Sequence, residues 1–168
     1  MPDKIITDRL ILRPYQDADA DVLMVGFNDY DIVKWLSRPP YPFTRADVRL
    51  TNEDGSSRWP EVAAMEYAGC MVGSISSHPH LGFWLLQRYW GMGLATEAGR
   101  AMIRAAFTGT TCPKLASGYF EGNVASARVL QKLGFAETER GMHHCQPQKK
   151  DLPFVGLELC RTDWEAAQ

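Results

Sequence analysis

The 168-residue sequence predicts a mixed α/β (α+β) domain. Three observations carry that reading. Strand-length stretches rich in β-branched and aromatic residues recur from one end of the chain to the other. Between them lie segments with apolar residues at helical spacing, such as 94–107. No internal repeat, low-complexity tract or linker breaks this order, so a single domain over 1–168 is expected.

Residues 4–13, KIITDRLILR, read as a strand that Pro14 ends. Asp17 can cap a helix through about Phe27, with Ala18, Val22, Leu23 and Val25 as apolar members. Residues 29–36 read as a second helical segment, stopped by the Pro39, Pro40, Pro42 loop. Thr44 with Asp47 opens a third short helix toward Glu53, and Asp54-Gly55-Ser56-Ser57 forms a turn. Residues 61–67 and 70–76 read as strands of a hairpin joined at Ala68-Gly69. After a break at His78-Pro79-His80, residues 81–86 are a strand, 94–107 a helix and 114–120 a strand. Residues 123–133 are a helix with Gly134 just past its end, and 136–145 and 154–160 are the last strands.

The composition is globular: 45% hydrophobic and 23% charged, with a formal net charge of -2. A near-neutral chain has no global field for nucleic acid or anionic lipid. No apolar run reaches membrane-spanning length, and the charged amino terminus lacks a signal-peptide core. The expectation is a cytoplasmic monomer or homodimer with no nucleic-acid or membrane partner. Cys70, Cys112, Cys145 and Cys160 form no Cys-x-x-Cys pair. His143-His144-Cys145 alternate across a strand and cannot easily share one ion, so no metal is expected.

The stretch Arg88-Tyr89-Trp90-Gly91-Met92-Gly93 sits between a strand and a helix. The first N–H groups of that helix have no intrahelical acceptor, and the helix dipole adds partial positive charge. Glycines without Cβ atoms let a bulky anion approach, and Arg88 can add a charged fork. This suits phosphate or pyrophosphate. A Walker loop would need a Lys after the glycines, and a dinucleotide fingerprint would need a third glycine where Thr96 stands. By itself Gly-x-Gly also suits an ordinary strand–helix turn.

Downstream, Asn123-x-x-Ser126 opens a helix that Leu133-Gly134-Phe135 closes. Together with Arg88-x-x-Gly91-x-Gly93, these motifs resemble the GNAT superfamily of acyl-coenzyme A N-acyltransferases. The opening Thr7-Asp8-Arg9-Leu10-Ile11-Leu12-Arg13-Pro14 and Ala95-Thr96-Glu97-Ala98 resemble its RimJ/RimL branch, which acetylates protein amino termini or small amines. The resemblance runs over essentially the whole chain. It implies the GNAT fold: a mixed, mostly antiparallel sheet whose middle strands splay, with helices on both faces. It implies acetyl-coenzyme A as cosubstrate and an amine acceptor. The strand ending at Leu85 and Leu86 would hold the pantetheine arm through its main chain. Arg88, Gly91, Met92, Gly93, Leu94, Ala95 and Thr96 would surround the pyrophosphate. Asn123 would bond the pantetheine and Ser126 would lie near the thioester sulfur. Glu97 is read as structural support.

Direct transfer in a ternary complex relies mainly on proximity. A covalent cysteine route is disfavoured, because Cys112 beside Pro113 has no histidine–carboxylate company. Ser126 is the positional candidate for the acid that protonates the leaving thiolate; Tyr119 is the chemical alternative, with a phenol pKa of ~10. The base is open between Glu66, His78, His80 and Glu121. Trp35, Tyr41 and Phe43, with His80 and Glu121, are expected around the acceptor. Trp84 and Trp90 read as packing. The alternative class is a non-catalytic module that binds or senses an acyl-coenzyme A.

Overall fold

Leu10 and Leu12 are buried and alternate with half-buried Ile11 and Arg13, as a strand covered on one face requires. The computed structural model describes residues 4–50, 58–77 and 80–168. Its strands are β1 (Ile5–Ile6), β2 (Leu10–Arg13), β3 (Val62–Tyr67), β4 (Cys70–Ser76), β5 (His80–Leu85), β6 (Lys114–Phe120), β7 (Ala136–Cys145) and β8 (Lys150–Cys160). The helices are α1 (Ala20–Asn28), α2 (Tyr30–Val33), α3 (Leu94–Gly109), α4 (Val124–Lys132) and α5 (Arg161–Ala166). The strands form one sheet in the order β1-β2-β3-β4-β5-β6-β8-β7. Every neighbouring pair is antiparallel except β5 and β6.

That one parallel pair is short. It joins His80 to Ala116 and Leu81 to Ser117, and no later residue of β5 is registered with β6. β5 continues to Leu85 beside β4, while β6 continues to Phe120 beside β8. The sheet therefore opens between β5 and β6 toward their C-terminal ends. This is the expected splayed GNAT sheet.

The two faces carry separate cores. Leu94, Ala98, Met102 and Phe107 of α3 and Leu130 of α4 bury one face with Leu81, Leu115, Val155 and Leu157. Leu23 of α1 and Ile32 of α2 cover the other, with Tyr15, Phe43, Ala64, Met71 and Trp84. There Gly26 permits a close approach: a Cβ on it would come within 2.3 Å of the Trp84 ring.

Several elements differ from expectation for local reasons. Residues 4–13 are not one strand but a hairpin, because Thr7 folds back on Leu10. The Thr7 N–H donates to the Leu10 carbonyl (2.9 Å), and the Leu10 N–H donates to Thr7 Oγ1 (2.9 Å). A single 3-10 turn, Asp17–Asp19, precedes α1. β8 starts at Lys150, after a 3-10 turn over Gln146–Gln148. Helix α5 is unforeseen, since six residues carry little periodicity. Tertiary contacts hold it: Trp164 packs on Phe107 with ring centroids 5.3 Å apart, and Arg161 donates to the Thr110 and Cys112 carbonyls just past the end of α3. Of the expected helix toward Glu53 only a 3-10 turn at Arg45–Asp47 forms, because Val48 is already extended (φ -77°, ψ 105°); residues 51–53, the turn at 54–57 and His78 lie outside the described residues.

Candidate functional site

The open edge of β5 has a defined polarity. The Leu81 carbonyl faces β6, accepting from Ser117 Oγ at 2.7 Å, while the Leu86 N–H faces β4 and donates to Val72 at 2.9 Å. Strand periodicity then turns the main-chain groups of Phe83 and Leu85 toward the opening. Among the described residues they are donors and acceptors without a partner strand, apart from the Leu85 carbonyl, which accepts from the Trp90 indole at 2.8 Å.

Beyond β5 the chain makes a 3-10 turn, Gln87–Tyr89, and reaches the glycines. Gly91 has φ 76° and Gly93 φ 78°, the left-handed region that glycine enters without penalty. Gly93 is the N-cap of α3, and no side chain caps this helix. The ladder begins with the Glu97 N–H on the Gly93 carbonyl, 3.1 Å. The N–H groups of Leu94, Ala95 and Thr96 therefore have no acceptor within the helix. Gly91, Met92 and Gly93 are exposed. An anion could approach those donors at the positive end of a 16-residue helix.

The loop is braced from outside. Glu97 accepts from Thr7 Oγ1 (2.6 Å), the Arg9 N–H (2.8 Å) and Arg9 Nε (2.7 Å), while Arg9 Nη1 donates to the Met92 carbonyl (2.9 Å). Partial burial pushes the Glu97 carboxyl up; the hydrogen bonds from Thr7 and Arg9 together outweigh it and hold it below the usual range. Arg88 is exposed, with its guanidinium 5.0 Å above the Tyr89 ring. Gln87 Nε2 donates to both carboxylate oxygens of Asp29, 2.9 and 2.8 Å, joining this turn to the N-cap of α2.

Across the opening, Asn123 is the N-cap of α4. Its Oδ1 accepts from the Ser126 N–H at 3.1 Å, leaving its Nδ2 without a hydrogen bond among the described residues. The Ser126 hydroxyl is likewise unbonded and half-buried. Tyr119 is half-buried against the core beneath α3 and α4. Trp35 reaches the turn before Asn123, where a Cβ on Gly122 would lie 3.3 Å from its ring. The tip of the β7–β8 hairpin closes on the same segment: Gln148 Nε2 donates to the Lys34 carbonyl (2.9 Å), and the Gln146 N–H to that of Ser37 (3.1 Å).

The other acceptor-side candidates are dispersed. Glu66 is paired with Arg13 (2.7 Å), which also binds Asp19 (2.8 Å). Glu121 is paired with Arg140, 2.7 Å. His80 lies at the closed end of the β5–β6 pair, opposite the glycine loop. Tyr41 stands 5.5 Å from Tyr30, ring to ring. Phe43 is 8% exposed and packs edge-on against Phe27 at 4.9 Å, so it is a core residue rather than a wall of the opening. Trp84 is a packing residue as expected, but Trp90 is 48% exposed and hydrogen-bonded to the strand. Sequence reasoning missed that tether because it depends on how the turn folds. Among the described residues no cluster of His, Cys, Asp and Glu could hold a metal ion, and no helix is long and apolar enough to cross a membrane.

Comparison with known proteins gives the same architecture. The uncharacterised protein YkkB of Bacillus subtilis (strain 168) is 30% identical over 146 residues, spanning 78% of this chain and 84% of YkkB. YdaF of the same organism, by name a candidate ribosomal N-acetyltransferase, is 25% identical over 183 residues, 95% of this chain and 96% of YdaF. The crystal structure of the microcin C7 self-immunity acetyltransferase MccE, in complex with acetyl-coenzyme A and AMP, superposes with a TM-score of 0.77 at 15% identity. That match covers 95% of this chain and 97% of MccE, and at such identity it speaks for the fold alone. Residues 9–136 match the acetyltransferase (GNAT) domain, and the chain belongs to that family.

Proposed function

We propose that this chain moves an acetyl group from acetyl-coenzyme A to a primary amine, a peptide N-terminus or a small-molecule amine, by direct transfer in a ternary complex. One observation carries the reading: an unpartnered β5 edge leads straight into an uncapped helix N-terminus with two left-handed glycines. That combination suits a ligand with an amide-bearing arm and a pyrophosphate. MccE, of the same fold, was crystallised with acetyl-coenzyme A. The RimJ/RimL-like opening motif and the name of YdaF favour an amino-terminal or small-amine acceptor.

In this reading Asn123 Nδ2 donates to the pantetheine arm, and the Ser126 hydroxyl hydrogen-bonds the departing sulfur and passes it a proton that it regains from solvent. Tyr119 is the alternative acid. The new C–N bond forms as the C–S bond breaks, and the amine's proton leaves to solvent or a base. Glu66 and Glu121 are already paired with arginines, so neither is a ready base. An α-amino group, with a pKa near ~8, is partly neutral at physiological pH and needs little help; a lysine at ~10.4 needs more. The paired carboxylates are also what favours the second reading, a non-catalytic acyl-coenzyme A sensor. Thiol release from acetyl-coenzyme A, measured against a panel of peptides, amino acids, polyamines and aminoglycosides, decides. Amine-dependent release is expected. Binding without release for every amine would establish the sensor instead.

A further inference from the structure

We propose that Trp90 is a positioning residue for the cosubstrate, tethering the glycine loop to the strand that holds the pantetheine arm. The inference rests on the acetyl-coenzyme A reading above. Leu85 is the last residue of β5, and its carbonyl faces the opening. The Trp90 indole N–H reaches back over five residues to that carbonyl at 2.8 Å. The residue is 48% exposed, so core packing does not account for its place. A tryptophan at an exposed loop loses rotamer freedom when fixed, and here a directed hydrogen bond fixes it.

The consequence is geometric. With the outer carbonyl occupied, the open edge offers the Phe83 N–H, the Phe83 carbonyl and the Leu85 N–H to an arm. The loop amides stand beyond Trp90. The tether thus sets the spacing between the subsite for the arm and the subsite for the phosphates. Both halves of the ligand belong to one molecule, so its affinity depends on an effective concentration that falls when the two subsites move relative to each other. A ligand with only one half is insensitive to that spacing. Two further contacts make the turn a rigid mount: Gln87 on Asp29, and Tyr89 against Tyr67 with centroids 6.1 Å apart.

The test is Trp90→Phe, which keeps an aromatic ring and deletes the donor. Calorimetry should show acetyl-coenzyme A binding weakened roughly fivefold, the scale of one net hydrogen bond. Binding of adenosine 3′,5′-bisphosphate, which lacks the arm, should stay within about twofold, the limit of an undisturbed site. Equal loss for both ligands would make Trp90 a mere loop-packing residue, and no loss for either would remove its role; both outcomes overturn the proposal. A second measurement needs no variant. In the wild-type protein labelled with 15N, solvent exchange of the Trp90 indole N–H should slow when acetyl-coenzyme A is added. Faster exchange would mean that the ligand displaces the tether, which overturns the proposal while leaving the acetyl-coenzyme A reading intact. Wild-type protein that binds no acetyl-coenzyme A at all would instead sink that reading and this inference with it.

Discussion

At Ser126 the backbone N–H is held by Asn123 while the hydroxyl has no hydrogen bond among the described residues, so the side chain can serve a ligand without giving up the helix cap. Ser126→Ala should lower kcat by about 10²-fold or more, the usual worth of a positioned proton donor. Its acetyl-coenzyme A affinity should change less than about twofold, because the Asn123 cap and the loop amides remain. Single-turnover kinetics beside calorimetry separate the two; a loss of only a few-fold would pass the role to Tyr119 or water. Tyr15 makes a different kind of prediction. Burial pushes its phenol up to about 12, with the Ser74 hydrogen bond opposing and Asp19 adding. A folded pKa above the unfolded ~10 means that the native state keeps a proton the unfolded chain gives up. The contribution is complete below pH ~10 and disappears as the pH rises toward 12. Urea midpoints should therefore fall over that window more steeply in the wild type than in Tyr15→Phe. Parallel curves would count against it.

At the level of elements, the anion site is the junction of β5 and α3, and its chemistry depends on backbone rather than side chains. Gly91 has φ 76°, and a Cβ there would meet no atom within 4 Å. Asn and Asp are the side chains that best tolerate the left-handed region, so Gly91→Asn and Gly91→Asp should both fold. They are nearly equal in size and differ in charge. Gly91→Asp should bind acetyl-coenzyme A at least about tenfold more weakly than Gly91→Asn, since a carboxylate would stand beside the phosphates. Equal affinities, measured by calorimetry at low salt, would show that the phosphates lie elsewhere. The staple from Thr7 and Arg9 to Glu97 belongs to this scale as well. It pins the β1–β2 hairpin to the first turn of α3, so the opening motif of the chain supports the loop from behind.

Across the whole molecule, one core spans strands from β2 to β8 on one face, a second covers β3–β5 on the other, and the pairing of β5 with β6 stops at Leu81 and Ser117. A ligand that enters the opening beyond them binds the folded state only. At a hundred times its dissociation constant it adds about 2.7 kcal/mol of stability. For a domain of this size each kcal/mol moves Tm by about 2–4 °C, so acetyl-coenzyme A should raise the melting temperature by roughly 5–10 °C. ATP at the same concentration should leave it nearly unchanged, since it has no arm to lie on β5. Differential scanning fluorimetry with both ligands checks this. Equal shifts would point to a general nucleotide site.

The sequence by itself determined the order and kind of most elements, because period-two and helical patterning are local and survive without tertiary context. The hairpin at Ala68-Gly69, the helix 94–107 and the glycine end of α4 are legible for that reason. So is the Gly91–Gly93 turn, since left-handed backbone leaves its mark as glycine. What only the tertiary structure decided is how distant side chains are spent. Glu66 meets Arg13, Glu121 meets Arg140, Phe43 enters a core and Trp90 ties itself to Leu85. Whether a carboxylate is a free base or half of an ion pair depends on a partner that another strand delivers. That information resides in the packing of elements, and no spacing along the chain carries it.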